Sequence, residues 1–310
     1  MGNQVSSAVV RATASTTTKD VMCAIVVTYN PGSGLLSHLA TLRSQVGEII
    51  VVDNNSSPAV LDALRWAPPE LNITLINNSA NLGVATALNQ GLALAMEHGF
   101  DWALLLDQDT TPAVGIADHL LESCGDFPDP NKLAIVGSNY LNGVTGRERW
   151  PQESFGALSW TERKVVITSG SLLSLNAYQA IGPFRDKYFI DCVDLEYCLR
   201  ARSKGFKVIV TRKPLMTHDI GQPTFHRLLW KRVAASNHAP IRKYYLVRNH
   251  IVMAKEYLFS EPSWILASLG RVLKSTLTCA LFERDRLAKA KYTALGFLDG
   301  LRSNFDKTPL

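Results

Sequence analysis

Met22 to Thr28 (MCAIVVT) is apolar at almost every position and stops at Tyr29-Asn30-Pro31-Gly32. A run that is apolar on both faces and ends in turn residues predicts a buried parallel strand. Leu35, Leu36, Leu39 and Leu42 follow at helical spacing and predict a helix over 35–46. The alternation then repeats. Glu48–Val52 reads as a strand ending in Asp53-Asn54-Asn55-Ser56-Ser57-Pro58, and Val60–Trp66 as a helix. Ile73–Ile76 reads as a strand ending in Asn77-Asn78, and Gly83–His98 as a helix. Trp102–Leu106 (WALLL) is a fourth strand, ending in Asp107-Gln108-Asp109. Strand and helix alternating at this interval predict a parallel α/β sheet with helices on both faces. Ligands in such sheets collect beyond the carboxyl ends of the strands. Each strand here ends in a polar turn bearing Asn or Asp, so the turns should converge on one rim.

The second half is less regular. Leu133–Gly137 and Val165–Thr168 read as strands, separated by a polar loop over 142–160 that carries Trp150, Phe155 and Trp160. Asp194–Lys204 reads as a helix and Lys207–Val210 as a strand; from Pro240 to Gly300 the pattern is helical, with no further strand signal. Residues 1–20 are rich in Ser, Thr and Ala and lack an apolar h-region, which predicts a disordered leader and no signal peptide. The expected organisation is a leader over 1–20, a catalytic domain over 21–240 and a helical region over 241–310.

No uninterrupted apolar stretch of about 20 residues occurs, so no helix is expected to span a bilayer. Trp264 to Phe282 carries a broad apolar stripe of Trp264, Ile265, Leu269, Val272, Leu273, Thr276, Leu277 and Leu281, interrupted by Arg271 and Lys274. Arg284, Arg286, Lys289 and Lys291 follow. Long basic stems snorkel toward headgroups, so peripheral contact with the inner face of the cytoplasmic membrane is expected. Packing on the α/β domain or a homo-oligomer interface is the alternative.

Hydrophobic residues make up 46% and charged ones 19% of 310, which fits a folded chain with a real core and argues against global disorder. A net charge of +5 is too small to imply nucleic acid. Five irregularly spaced cysteines without a C-x-x-C pair argue against a disulfide framework or zinc ribbon, and point to a reducing cytoplasm.

Asp107 and Asp109, one residue apart after a buried strand, can share a divalent cation and a nucleotide; hard oxygen ligands suit Mg²⁺ or Mn²⁺. A solvated acidic turn would have the same sequence. Asp53 can accept a hydrogen bond from a base or ribose, or simply hold an Asx-turn, and the two roles can coexist. Asn81-Leu82-Gly83 matches neither G-x-G-x-x-G nor the P-loop, so a dehydrogenase or P-loop NTPase fits poorly. Asp191, Asp194 and Glu196 surround a helix start, where they offset the macrodipole or supply a general base for an acceptor hydroxyl. His218 can ligate a metal, contact phosphate, or be structural.

The order of these features carries a resemblance. Val27-Thr28-Tyr29-Asn30, Val52-Asp53-Asn54-Asn55-Ser56, Asn81-Leu82-Gly83 with Asn89-Gln90-Gly91, and Asp107-Gln108-Asp109 come first. Thr168-Ser169-Gly170-Ser171, Asp194-x-Glu196 and His218-x-x-Gly221 follow. Over roughly residues 22 to 225 this resembles the inverting glycosyltransferases of family 2. LLLDQDT (Leu104 to Thr110), FIDCVDLEYCLRA (Phe189 to Ala201) and Tyr244-Tyr245-Leu246-Val247-Arg248-Asn249 are similar to the bacterial L-rhamnosyltransferases within it.

The resemblance implies a GT-A fold, a Rossmann-like mixed sheet flanked by helices, with a C-terminal helical extension. It implies transfer from dTDP-L-rhamnose to a lipid-linked glycan or rhamnolipid acceptor. Thr28 and Asp53 would hold the thymine, Asp107 the ribose and Asn81 another part of the donor. Asp109 would ligate a metal bridging the diphosphate, with His218 beside it. Asp194 falls at the position of the base, supported by Glu196. Many relatives carry Glu-Asp there, and Val193 in place of the Glu leaves Asp191, Asp194 and Glu196 all open as the proton acceptor. A nucleotide-sugar-binding protein without turnover and a nucleotidyltransferase are the alternatives.

Overall fold

The computed structural model describes residues 17–218, 224–228, 231–235 and 237–305. Of the leader expected over 1–20, residues 1–16 lie outside the described residues, while Thr18–Val21 forms one helical turn, α1. The alternating half follows its sequence pattern closely. It runs β1 (Met22–Thr28), α2 (Leu35–Arg43), β2 (Glu48–Asp53), α3 (Pro58–Arg65), β3 (Ile73–Asn77), α4 (Val84–Glu97) and β4 (Trp102–Asp107). These strands lie in the order β3-β2-β1-β4 and all pair in parallel. Their residues are apolar on both faces because both faces are covered. Ile25 and Val52 pack under α4, whereas Val26 and Val51 pack with Leu39 and Leu42 of α2. Each fully buried leucine contributes roughly 1.5–3 kcal/mol. Helix α4 lies so close to the sheet that a Cβ on Gly91 would stand 2.6 Å from Ile25 Cγ2. Any larger residue there must push helix and sheet apart.

Parallel register levels the carboxyl ends. Thr28 stands opposite Asp53, and Val27 opposite Asp107, so the polar strand-end turns share a rim.

Beyond β4 come β5 (Thr111–Pro112), α5 (Ile116–Gly125), β6 (Leu133–Asn142), β7 (Trp160–Glu162), β8 (Ser171–Ser174), α6 (Leu175–Ile181), α7 (Val193–Ser203) and β9 (Lys207–His218). The sheet continues β8-β6-β9-β5, with β8 antiparallel to both β4 and β6, which makes it mixed. The expected strand at Val165–Thr168 is not one; the pairing falls on Ser171–Ser174. Val166 is buried against Gly137, whose Cβ, if present, would lie 2.8 Å from it. Ser171 N–H closes a turn on the Thr168 carbonyl at 3.0 Å before pairing begins. Apolar side chains there report burial, not backbone pairing.

A hairpin of β10 (Thr224–Leu228) and β11 (Lys231–Ala235) precedes three helices, α8 (Pro240–Tyr257), α9 (Pro262–Phe282) and α10 (Arg286–Arg302). Helix α10 seats on α8 through Gly296, where a Cβ would meet the Tyr244 carbonyl at 2.4 Å. Among the described residues, α9 is the one helix that is long and apolar enough to cross a bilayer by length and composition. It packs beside α8 and α10 through Ile265, Ser268, Thr278 and Cys279. The apolar stripe expected along it is divided: Ile265 faces inward, while Leu273, Leu277 and Leu281, joined by Leu266, face outward.

Candidate active site

The Asp107-Gln108-Asp109 turn is held from three sides. The Gln108 side-chain amide pairs with Tyr29 in both directions, accepting its N–H at 2.7 Å and donating to its carbonyl at 3.2 Å. Asp107 N–H donates to Ser169 Oγ at 3.1 Å, and the Ser169 and Thr110 hydroxyls are 2.5 Å apart. Thr110 Oγ1 also lies 3.3 Å from His218 Nδ1. The last contact follows from topology. Strand β5 begins immediately after Thr110 and pairs Thr111 with Thr217 of β9, which returns His218 to the acidic turn from 108 residues away.

One ligand atom from each of Asp107, Asp109 and His218 can be chosen so that all lie within 4.8 Å of one another. Two carboxylates and an imidazole suit a divalent cation, and the Thr110 contact at Nδ1 leaves Nε2 as the free ring nitrogen. Burial pushes the Asp107 carboxyl up to about 6; Asp109 adds to this, while His218 and Arg242 oppose it. A cation at this trio would favour the charged form of Asp107.

Asp53 is fully buried and accepts three hydrogen bonds: from Thr28 Oγ1 (2.7 Å), Ser56 N (2.7 Å) and Ser56 Oγ (2.5 Å). Thr28 and Asp53 therefore brace the β1 and β2 turns against each other, the Asx-turn role. Asn81 is exposed, and its Oδ1 accepts the Gly83 N–H at 3.0 Å. Gly83, at φ +85°, packs so tightly on Phe189 that a Cβ would approach it to 2.6 Å, and Val84 N–H bonds the Phe189 carbonyl at 2.7 Å. The Asn81-Leu82-Gly83 turn thus connects the rim to the entry of α7.

That entry is a tight turn, with Phe189, Asp191 and Cys192 all at φ near +60°. Such backbone needs outside support. Helix α8 gives it: Asn249 Nδ2 donates to the carbonyls of Tyr188 (3.0 Å), Ile190 (2.9 Å) and Asp191 (2.8 Å). Arg248 adds a bond to the Lys187 carbonyl at 2.7 Å. The Tyr244–Asn249 motif is the brace of this turn.

The three acids that follow have different surroundings. Asp191 is claimed by Arg242, which bonds its two oxygens at 3.0 and 3.1 Å. Glu196 is 1% exposed and faces away from the rim, bonded to Arg200 (2.9 and 3.1 Å), Arg185 (3.1 Å) and Tyr257 (3.0 Å). Asp194 has no ion pair among the described residues and accepts the Leu195 N–H at 2.8 Å. Burial pushes its carboxyl up to about 7, helped by the charges of Asp107 and Asp191 and opposed by the Leu195 N–H. Asp107, Asp109, His218, Asp191 and Asp194 thus gather at one end of the sheet, and Glu196 does not join them.

Arg242, in the first turn of α8, was invisible to sequence reasoning. Burial works against its charge, but Asp191, Asp107 and Asp109 outweigh this and hold the guanidinium protonated. It sits over 130 residues from the acidic turn, and no local pattern marks it. Ser169, beneath the same turn, had a signal in Thr168-Ser169-Gly170-Ser171 but no assigned role.

Comparison with known proteins decides the family. Residues 23–189 match the model of glycosyl transferase family 2. The chain belongs to this family. A dTDP-rhamnosyl transferase, RfbF, of Shigella flexneri is 27% identical, with 90% of this chain and 95% of that one aligned. An N-acetylglucosaminyl-diphospho-decaprenol L-rhamnosyltransferase of Mycobacterium tuberculosis is also 27% identical, over 91% and 99%. The galactofuranosyltransferase GlfT1 of Mycolicibacterium smegmatis is 33% identical over 78% and 84%. Among solved structures, S. aureus TarS 1-349 superposes with a TM-score of 0.58 at 16% identity, covering 92% of this chain and 82% of that one. The mixed sheet with helices on both faces is the GT-A fold, and this family 2 chain is a glycosyltransferase.

Proposed function

We propose that this glycosyltransferase moves L-rhamnose from dTDP-L-rhamnose to a hydroxyl of a lipid-linked glycan, with inversion. The donor reading is supported by two relatives named for rhamnosyl transfer along almost the whole chain. The observation that carries the mechanism is Asp194: a rim-facing carboxylate with no ion pair among the described residues and a proton affinity raised to about 7. A general base works best with a pKa near the working pH. Asp194 takes the proton of the acceptor hydroxyl as its oxygen bonds to the anomeric carbon, and the bond to the dTDP oxygen breaks on the opposite face. Asp191 orients Arg242, and Glu196 anchors α7.

Asp107, Asp109 and His218 would hold Mg²⁺ or Mn²⁺, which neutralises charge growing on a departing diphosphate. Thr28 and Asp53 form the floor under the thymine, Asp107 meets the ribose, and Asn81 edges the donor cleft. Incubating purified protein with a panel of nucleotide sugars, with and without EDTA, tests this. Metal-dependent release of dTDP from dTDP-L-rhamnose is expected. A clear preference for a UDP-hexose, or pyrophosphate as product, overturns it.

The protein works, in this reading, in the cytoplasm on the inner face of the membrane, as a lipid-borne acceptor requires. Leu266, Leu273, Leu277 and Leu281 form an exposed apolar line on α9, with Arg271 and Lys274 also exposed on its flank. Apolar surface flanked by cations suits an anionic leaflet. Lys289 does not take part, being buried against Glu283 at 2.8 Å. Flotation with anionic vesicles at low salt should carry the protein upward. A soluble, stable dimer that ignores vesicles would assign the leucines to a second copy.

A further inference from the structure

Arg248 of α8 carries its charge in the interior: the side chain is 2% exposed, and no carboxylate pairs with it among the described residues. Burying a guanidinium in this way is costly unless other groups receive it. Three rings do. Its guanidinium carbon lies 5.3 Å from the ring centroid of Tyr244, 4.9 Å from that of Tyr245 and 4.9 Å from that of Phe305. The negative face of an aromatic ring attracts such a cation, most strongly where water is excluded. The N–H groups point to the turn before α7. One donates to the Lys187 carbonyl at 2.7 Å, and Nε donates to Asn249 Oδ1 at 3.0 Å. The second bond decides which way the Asn249 amide faces. With Oδ1 committed to Arg248, Nδ2 is the end that meets the carbonyls of Tyr188, Ile190 and Asp191. A turned amide would set oxygen against oxygen at all three. Arg248 therefore sets the clamp, and the clamp holds the left-handed residues Phe189, Asp191 and Cys192 that lead to Asp194.

Two of the rings stand on α8 itself, one turn before Arg248. The third comes from beyond α10, whose last turn is fixed on α8. Lys255 Nζ donates to the Leu301 carbonyl at 2.8 Å and to Ser303 Oγ at 2.7 Å, and Asp299 accepts the Tyr244 hydroxyl at 2.9 Å. Ser303 then turns left-handed at φ +52°, and Asn304 N–H bonds the Asp299 carbonyl at 2.8 Å. This reversal lays the Phe305 ring over Arg248 and beside Tyr188, whose ring centroid is 6.1 Å away. One side chain thus packs on both the clamp and the turn it holds. Resting on the assignment of Asp194 as the base, we infer that Phe305 is a positioning residue for the reaction: it closes the ring cage around Arg248 and, through Arg248 and Asn249, fixes the turn that aims Asp194.

The first test needs no catalysis. Hydrogen exchange followed by mass spectrometry reads the amides of Tyr188, Phe189 and Ile190, which are hydrogen-bonded to Arg185, Asp186 and Tyr188. Exchange there should be about tenfold faster in Phe305→Ala than in wild type, with β1 and β2 unchanged. The second test is kinetic. A group displaced by about 1 Å can cost about 10²-fold in rate, so kcat should fall roughly tenfold or more in Phe305→Ala while Mg²⁺-dependent dTDP affinity stays the same. Phe305→Tyr keeps the ring face and should restore most of the rate; Phe305→Leu keeps apolar bulk alone and should restore less. The third is a double-mutant cycle: in an Asp194→Asn background, Phe305→Ala should cost nothing further, because its effect runs through the base. Unchanged exchange, equal recovery by Leu and Tyr, or the same proportional loss with and without Asp194 overturns the inference. Unchanged exchange would do so while leaving the base reading intact. Faster exchange with an unchanged kcat also overturns it, and then the base reading is what failed, since the turn would move without consequence.

Discussion

At the end of β4, Asp107 and Asp109 share one environment: both reach His218, both feel Arg242, and together they can close on one cation. At the start of α7, Asp191, Asp194 and Glu196 stand within six residues and share almost nothing. Arg242 holds the first, three side chains lock the third in the interior, and the middle one is left desolvated and without an ion pair among the described residues. Strand-end geometry fixes the first group, because parallel register levels the turns. The second group depends on which cations the rest of the chain brings up to each turn of a helix. Asp194, buried without a bonded cation among the described residues, has its carboxyl pushed up to about 7. In the proposed mechanism, charge assignment and not sequence position separates metal ligand, proton acceptor and anchor.

The comparison breaks most sharply at Asp194. Asp194→Asn should lower kcat by about 10³–10⁴, near the upper range for loss of a general base, with dTDP affinity unchanged. It should also stabilise the fold at pH 8. The folded carboxyl titrates at about 7, above the value of about 3.9 for an unfolded Asp, so the native state holds the extra proton between these limits. Stability contributed by the proton is present at low pH and lost as pH rises through that window. Asn removes the penalty. An inactive variant with a raised Tm at pH 8 meets the expectation; near-wild-type turnover moves the base to another acid.

Glu196→Gln should act through stability. Removing one member of a buried ion pair leaves Arg200 and Arg185 short of a partner, at a cost of about 3 kcal/mol. Denaturant unfolding should show this loss, with kcat per folded molecule changed less than a few-fold. A large fall in kcat without loss of stability would return Glu196 to the reaction. Asp109→Ala should weaken Mg²⁺-dependent dTDP binding by about 10²-fold, as loss of one hard ligand from a three-ligand site removes most of the metal affinity. Calorimetry with and without Mg²⁺ reads it; equal losses under both conditions would mean the acid touches nucleotide directly.

Legibility in the sequence followed locality. Strands β1, β2 and β4 could be read because burial on both faces, and the polar stop, are properties of consecutive residues, and the half-buried edge strand β3 carries the same polar stop. The acidic turn was legible for the same reason. Val165–Thr168 misled because Val166 is buried beneath Gly137 without pairing. Arg242 could not be found: it reaches Asp191 across 51 residues, and only the docking of α8 on the turn before α7 brings it there. The different fates of Asp191 and Asp194 were illegible for the same reason, since Arg242 arrives beside Asp191 from α8 and pairs with that acid and not with Asp194; Glu196 has a local partner in Arg200, four residues on, but Arg185 reaches it from outside the helix.

The smallest effect concerns pH. In the proposed mechanism transfer needs Asp194 deprotonated, and its carboxyl is pushed up to about 7, chiefly by burial. With the donor saturating, kcat should rise with pH, reach half its plateau near 7 and flatten above 8. At pH 6 only about a tenth of the base is ionised, so the rate should be roughly tenfold below the plateau. The two groups of acids make opposite contributions to that curve. Arg242 holds both oxygens of Asp191, at 3.0 and 3.1 Å. Arg242→Gln removes the cation and leaves Asp191 as an unpaired neighbour of Asp194, which raises the proton affinity of the base further. The half-plateau point of that variant should therefore move alkaline by a fraction of a pH unit. A shift toward acid would mean that Arg242 was repelling the proton from some other group, and that Asp194 does not set the profile.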